Sequence, residues 1–104
     1  DQVVPMMALG AKGVISVAAH IVPEVMVEMT HLCLNNDFAA ASQLQIRYMD
    51  LIDALFTEVN PIPIKAAMNL LGMDAGSLRL PLCDISDKNL DTLRRAMERA
   101  GLLK

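Results

Sequence analysis

Apolar and polar positions follow helical spacing along most of this chain, and one short stretch departs from it. Gly13-Val14-Ile15-Ser16-Val17 places three β-branched hydrophobes in five residues, between a glycine turn and a helix-rich remainder. That composition predicts a short buried strand over 13–17. No second segment reads as a convincing strand. The N–H and C=O groups of 13–17 must therefore find partners outside the chain's own pattern.

The remaining segments read as helices with recognisable ends. Val3 to Leu9 forms a short helix, starting near Pro5 and stopped by Gly10. Ala11 and Lys12 lead into the strand, and Ala18 to Val22 lead out of it with His20 among them. Pro23 opens the next helix, and Glu24 suits its positive end. Val22, Met26, Met29 and Cys33 share one face of it, with Glu24, Glu28 and His31 mostly elsewhere, and Asn35-Asn36 break it. Asp37 caps the longest predicted helix, Phe38 to Glu58. Its apolar stripe is Phe38, Ala41, Leu44, Tyr48, Leu51, Ile52 and Leu55. Its wet face is Ser42, Gln43, Arg47, Asp50 and Asp53.

Asn60-Pro61-Ile62-Pro63-Ile64-Lys65 enters extended, because each proline disfavours helix in the residue before it. A helix then runs from about Pro63 to Leu71 and stops at Gly72. Met73 to Leu82 is a loop. Ser86 caps a last helix through Ala100, stopped by Gly101. Leu90, Leu93, Met97 and Ala100 form its buried side, and Arg94, Arg95 and Arg99 lie near its negative end. Five helices and one strand make a mostly helical α/β chain.

Composition narrows the function classes. The 104 residues suffice for one small domain. Apolar residues make up 54%, with one Tyr, two Phe and eight Met, so the core is aliphatic and methionine fills its gaps. The net charge of −3 comes from interspersed acids and bases. No basic patch large enough to follow a phosphate backbone is present, which argues against nucleic acid. No apolar run reaches the length of a membrane span, and the start does not read as a signal peptide. Cys33 and Cys83 form no CxxC pair and are expected to be free, buried thiols of a cytoplasmic protein.

Candidate chemistry is sparse. His20 and His31 lie eleven positions apart, without metal-ligand spacing or a paired carboxylate. They read as a loop histidine and a helix-surface histidine, and no metal or cofactor is expected. Lys12 and Lys65 have the residue type of a Schiff-base lysine. Beside a glycine turn, Lys12 reads as solvated. Two residues after a proline helix start, Lys65 reads as snorkelling. Asp50 and Asp53 read as a solvated pair. No phosphate loop or nucleophile elbow is present.

Three segments together resemble one family. Gly10-Ala11-Lys12-Gly13-Val14-Ile15-Ser16-Val17, Asn60-Pro61-Ile62-Pro63-Ile64-Lys65 and Arg79-Leu80-Pro81-Leu82 look like the C-terminal part of dihydrodipicolinate synthases. These belong to the pyruvate-dependent class I aldolase superfamily. The terminal stretch ending Ala100-Gly101-Leu102-Leu103 looks the same. The NPIPIK segment points to these synthases most specifically.

The resemblance implies a C-terminal piece of a (β/α)8 TIM barrel followed by extra helices. Residues 1–35 would be the last barrel units, with Gly13–Val17 as the eighth strand, and 37–104 the helical appendage. It also implies a lyase of lysine and diaminopimelate biosynthesis. Such an enzyme condenses pyruvate, held as a Schiff base on a lysine, with aspartate semialdehyde, and is expected to be a cytoplasmic homo-oligomer. The family's Schiff-base lysine lies on the sixth strand, and its partner tyrosine and threonine come earlier. Lys12 and Lys65 match neither position, so no catalytic residue is expected here and the piece alone is expected to be inactive. One contact carries over: the isoleucine of the GVISV segment, Ile15, would line the pyruvate pocket. His20 stands where the family usually has asparagine. Two competing expectations are a stand-alone helical interaction module and a piece of a related aldolase such as N-acetylneuraminate lyase.

Overall fold

Six α-helices and one 3-10 turn make up the regular structure. They are α1 (Val3–Ala8), the 3-10 turn (Ala18–His20), α2 (Pro23–Leu34), α3 (Phe38–Arg47), α4 (Met49–Ala54), α5 (Ile62–Leu70) and α6 (Asp87–Arg99). The structure is a computed structural model and describes residues 1–104.

The helix ends follow local chemistry. The Asp37 carboxylate accepts the Ala40 N–H at 3.1 Å, and the Ser86 hydroxyl accepts the Asn89 N–H at 3.4 Å, at the starts of α3 and α6. Pro23 sits in the first turn of α2, where a missing N–H costs nothing. At the end of α2, Asn36 takes a φ of 62°. Its N–H reaches the Cys33 carbonyl, and the Asp37 N–H reaches the Leu32 carbonyl. Two otherwise orphaned carbonyls are thereby satisfied. Gly10, Gly72 and Gly101 close α1, α5 and α6 with the same pair of bonds.

Two predicted elements differ from the structure. Residues 13–17 do not form a strand. β-Branched composition suits a pleated, half-buried surface, but a strand exists only in a ladder, and no other segment of the chain supplies one. From Lys12 to Ser16 no N–H or C=O makes a backbone hydrogen bond to another backbone group. The helix expected over Phe38–Glu58 is broken at Tyr48 and ends at Ala54. The Tyr48 N–H is shared between the carbonyls of Leu44 and Gln45, which tightens the last turn of α3. The Arg47 guanidinium lies 5.7 Å from the centre of the Tyr48 ring. No glycine or proline marks this break.

The chain divides into two compact units, Asp1–Met49 and Asp50–Lys104. In the first, α1, α2 and α3 pack on one another around Val4, Met7, Met29, Cys33 and Ala41. Phe38 and Leu44 are half-buried against this cluster. In the second, α5 packs against α6. Leu51, Leu55, Pro63, Leu93 and Met97 are among its fully buried side chains. The loop after α5 is clasped from the helix: the Asn69 amide accepts the Ala75 N–H at 2.7 Å and donates to the Gly76 carbonyl at 3.1 Å. The Glu58 carboxylate accepts the Ser86 N–H at 3.1 Å. No buried side-chain nitrogen or oxygen lacks a hydrogen-bond partner.

Candidate functional site

The segment between α1 and the 3-10 turn carries the one substrate contact expected from the sequence. Its start is fixed where the Ala11 N–H donates to the Met6 carbonyl at 3.1 Å. Its end is fixed where the Ser16 hydroxyl accepts the Ala19 N–H at 3.2 Å and the Val17 carbonyl accepts the His20 N–H. Between these anchors Ile15 is fully exposed, with a relative accessibility of 105%. An isoleucine in that state contributes no folding energy, because apolar burial is what stabilises. Beside it a cleft of about 320 Å³ runs between Lys12–Ser16 and α2, lined by Gly13, Val14, Ser16, Met26, Val27 and Thr30 among others.

The other candidates are scattered. His20 is exposed at the end of the 3-10 turn, and His31 is exposed on α2, where it borders the same cleft. No three His, Cys, Asp or Glu side chains lie close enough to hold a metal ion. Lys12 is exposed. Lys65 is half-buried and donates to the Ser77 carbonyl at 2.7 Å, so its ammonium braces a loop. Asp50 and Asp53 are exposed, and Asp50 pairs with Arg99 at 3.5 Å across solvent-facing side chains. Such a pair contributes little stability. Cys33 is buried as expected, and burial pushes its thiol pKa up. Cys83 is exposed, against the expectation: it lies in the irregular segment between α5 and α6, outside both helical packing faces. No helix is long and apolar enough to cross a membrane.

A model of the Dihydrodipicolinate synthetase family matches residues 1–100. The chain belongs to this family. The curated 4-hydroxy-tetrahydrodipicolinate synthase of Clostridium novyi is 53% identical over 98 residues, covering 94% of this chain and 33% of that protein. The crystal structure of dihydrodipicolinate synthase from Cyanidioschyzon merolae with lysine bound aligns at a TM-score of 0.94 and 43% identity, covering 98% of this chain and 35% of that one. The chloride-inhibited dihydrodipicolinate synthase of Acinetobacter baumannii complexed with pyruvate aligns at a TM-score of 0.91 and 36% identity, over 96% of this chain and 34% of that one. The chain spans about a third of the length of the relatives it matches.

Within this dihydrodipicolinate synthetase segment, sequence reading missed two polar residues that set its geometry. The strand expected over 13–17 gives Ser16 no role of its own, yet its hydroxyl accepts the Ala19 N–H in the turn that carries His20. Gln45 is buried in the first unit, where its side-chain oxygen accepts the Val4 N–H and its nitrogen donates to the Asp1 carbonyl. The signal for Gln45 was present: it lies four residues after Ala41, on the face that Ala41 buries.

Proposed function

We propose that this chain is the C-terminal third of a lyase that condenses pyruvate, held as a lysine Schiff base, with aspartate semialdehyde in lysine and diaminopimelate biosynthesis. Residues 1–35 furnish the last units of its TIM barrel, and residues 37–104 the helical appendage. Ile15 lies at the mouth of that barrel and lines the pyruvate pocket, giving the substrate's methyl side an apolar wall. The family match over residues 1–100 carries the reading. The full exposure of Ile15 supports it, since the side chain is held clear of the chain's own core.

The 104 residues hold no Schiff-base lysine and are inactive alone. Lys12 is exposed to solvent, and Lys65 is engaged with the Ser77 carbonyl. The whole enzyme is a cytoplasmic homo-oligomer. A chimera tests the reading. Residues 1–104 replace the matching segment of the Clostridium novyi synthase, and condensation of pyruvate with aspartate semialdehyde is assayed. Activity is expected, with Ile15→Ala raising KM for pyruvate more than it lowers kcat. A folded chimera without activity sinks the proposal.

A further inference from the structure

Lys65 and Asn69 stand one turn apart on α5 and share a face of it. That face holds three consecutive residues of the loop that follows. Asn69 takes Ala75 and Gly76, and the Lys65 ammonium donates to the Ser77 carbonyl at 2.7 Å. Between α5, this pinned loop and the start of α6 lies an open cleft of about 300 Å³. Ala66, Leu70, Leu78, Ile85 and Leu90 line it, all half-buried. Lys65 and the exposed Asp84 line it as well. Every one of these residues belongs to the unit Asp50–Lys104.

Size, walls and charge together define the ligand. The cleft is at the small end of ligand pockets, so it suits a small metabolite rather than a nucleotide or a peptide. Its apolar side chains are still partly exposed and gain burial from an apolar group placed among them. The Lys65 ammonium has three donors, and the Ser77 carbonyl occupies one. Asp84 belongs to neither of the chain's two ion pairs. A lone anion would satisfy Lys65 but meet Asp84, and a lone cation would do the reverse. A zwitterion answers both. We propose that this cleft binds a free α-amino acid with an apolar side chain. Its carboxylate pairs with Lys65, its ammonium with Asp84, and its side chain packs on Leu70, Leu78 and Ile85. The loop wall is already pinned to α5, so little ordering cost opposes binding. The inference goes beyond the functional reading above and does not depend on it.

The test titrates the methyl-labelled 104-residue chain with L-leucine and follows it by NMR. Saturable shifts are expected at Leu70, Leu78, Ile85 and Leu90. Isocaproate lacks the ammonium and isoamylamine lacks the carboxylate, and each should bind at least tenfold more weakly. L-Lysine brings a charged side chain to the apolar walls and should also bind at least tenfold more weakly. Asp84→Asn should weaken L-leucine at least tenfold and leave isocaproate no weaker. Ala66→Phe fills the cleft and should abolish the shifts while the α5 and α6 amides keep their exchange protection. If Ala66→Phe unfolds the unit, Asp84→Asn, at an exposed position, carries the test. Absence of saturation up to about 10 mM L-leucine overturns the proposal. So does isocaproate or L-lysine binding as tightly as L-leucine, and so does an unchanged L-leucine affinity in Asp84→Asn.

Discussion

Gln45 on α3 accepts the Val4 N–H at 2.9 Å, and this bond caps α1 from another helix. The N-cap residue Gln2 makes no side-chain bond of its own, so Val4 would otherwise be one of the orphan donors of a helix start. The same side chain donates to the Asp1 carbonyl at 2.8 Å. Gln45→Ala removes both bonds and leaves a buried N–H unpaired, a loss of about 1–3 kcal/mol. Gln45→Glu keeps the acceptor for Val4 but turns a carboxylate oxygen toward the Asp1 carbonyl. Urea denaturation should rank wild type above Ala and Glu, and equal midpoints for all three would show that the bonds carry no net stability.

The two compact units should respond to core truncation separately. Met29 and Leu93 are both fully buried, one in each unit. Met29→Ala and Leu93→Ala should each cost about 2–5 kcal/mol, through lost burial and the cavity left behind. Hydrogen exchange should localise the first loss to residues 1–49 and the second to 50–104. Uniform acceleration across the whole chain in both variants would mean that the chain unfolds as one cooperative body.

The cysteines should differ in reactivity and in their effect on pH dependence. Cys83 is exposed and Cys33 is buried with a raised pKa. Alkylation under native conditions, read by mass spectrometry, should modify Cys83 first, because the thiolate is the reactive form. The unfolded Cys33 thiol ionises at lower pH than the folded one. Its contribution is therefore fully present below the ordinary thiol range, about 8.5, and is lost as pH rises through the folded value. Cys33→Ala should flatten the decline of stability on the alkaline side. An unchanged alkaline slope would assign it to other groups.

Pyruvate with borohydride should leave the 104-residue chain unmodified, since neither Lys12 nor Lys65 sits in a desolvated pocket. Intact mass before and after reduction reads this directly. Stoichiometric adduct on either lysine would place a nucleophile where none is expected. Lys65→Met, by contrast, should loosen the loop at Ser77 and cost about 0.5–1.5 kcal/mol, the worth of one hydrogen bond.

Helix ends were the most legible feature, because their chemistry is local. Asp37, Ser86 and Pro23 mark starts, and Gly10, Gly72 and Gly101 mark stops, through side chains and φ values belonging to those residues alone. Val22, Met26, Met29 and Cys33 lie on one buried face, as their spacing requires. The break at Tyr48 was not legible, since an apolar stripe continues through it and no helix-breaking residue marks it. The strand at 13–17 was misread for the opposite reason. Its composition suits a strand, but pairing depends on a neighbouring strand, and no other segment of the chain supplies one. Ile15 was singled out only through family resemblance: an exposed isoleucine has no signature of its own in one sequence.

The anchors on either side of Lys12–Ser16 have a consequence in conformational entropy. Ala11 is tied to Met6, and Ser16 to Ala19, so the stretch is a bridge fixed at both ends. Freezing a free five-residue backbone would oppose ordering by roughly 5–10 kcal/mol. A bridge whose ends are already held by α1 and the 3-10 turn has fewer states to lose.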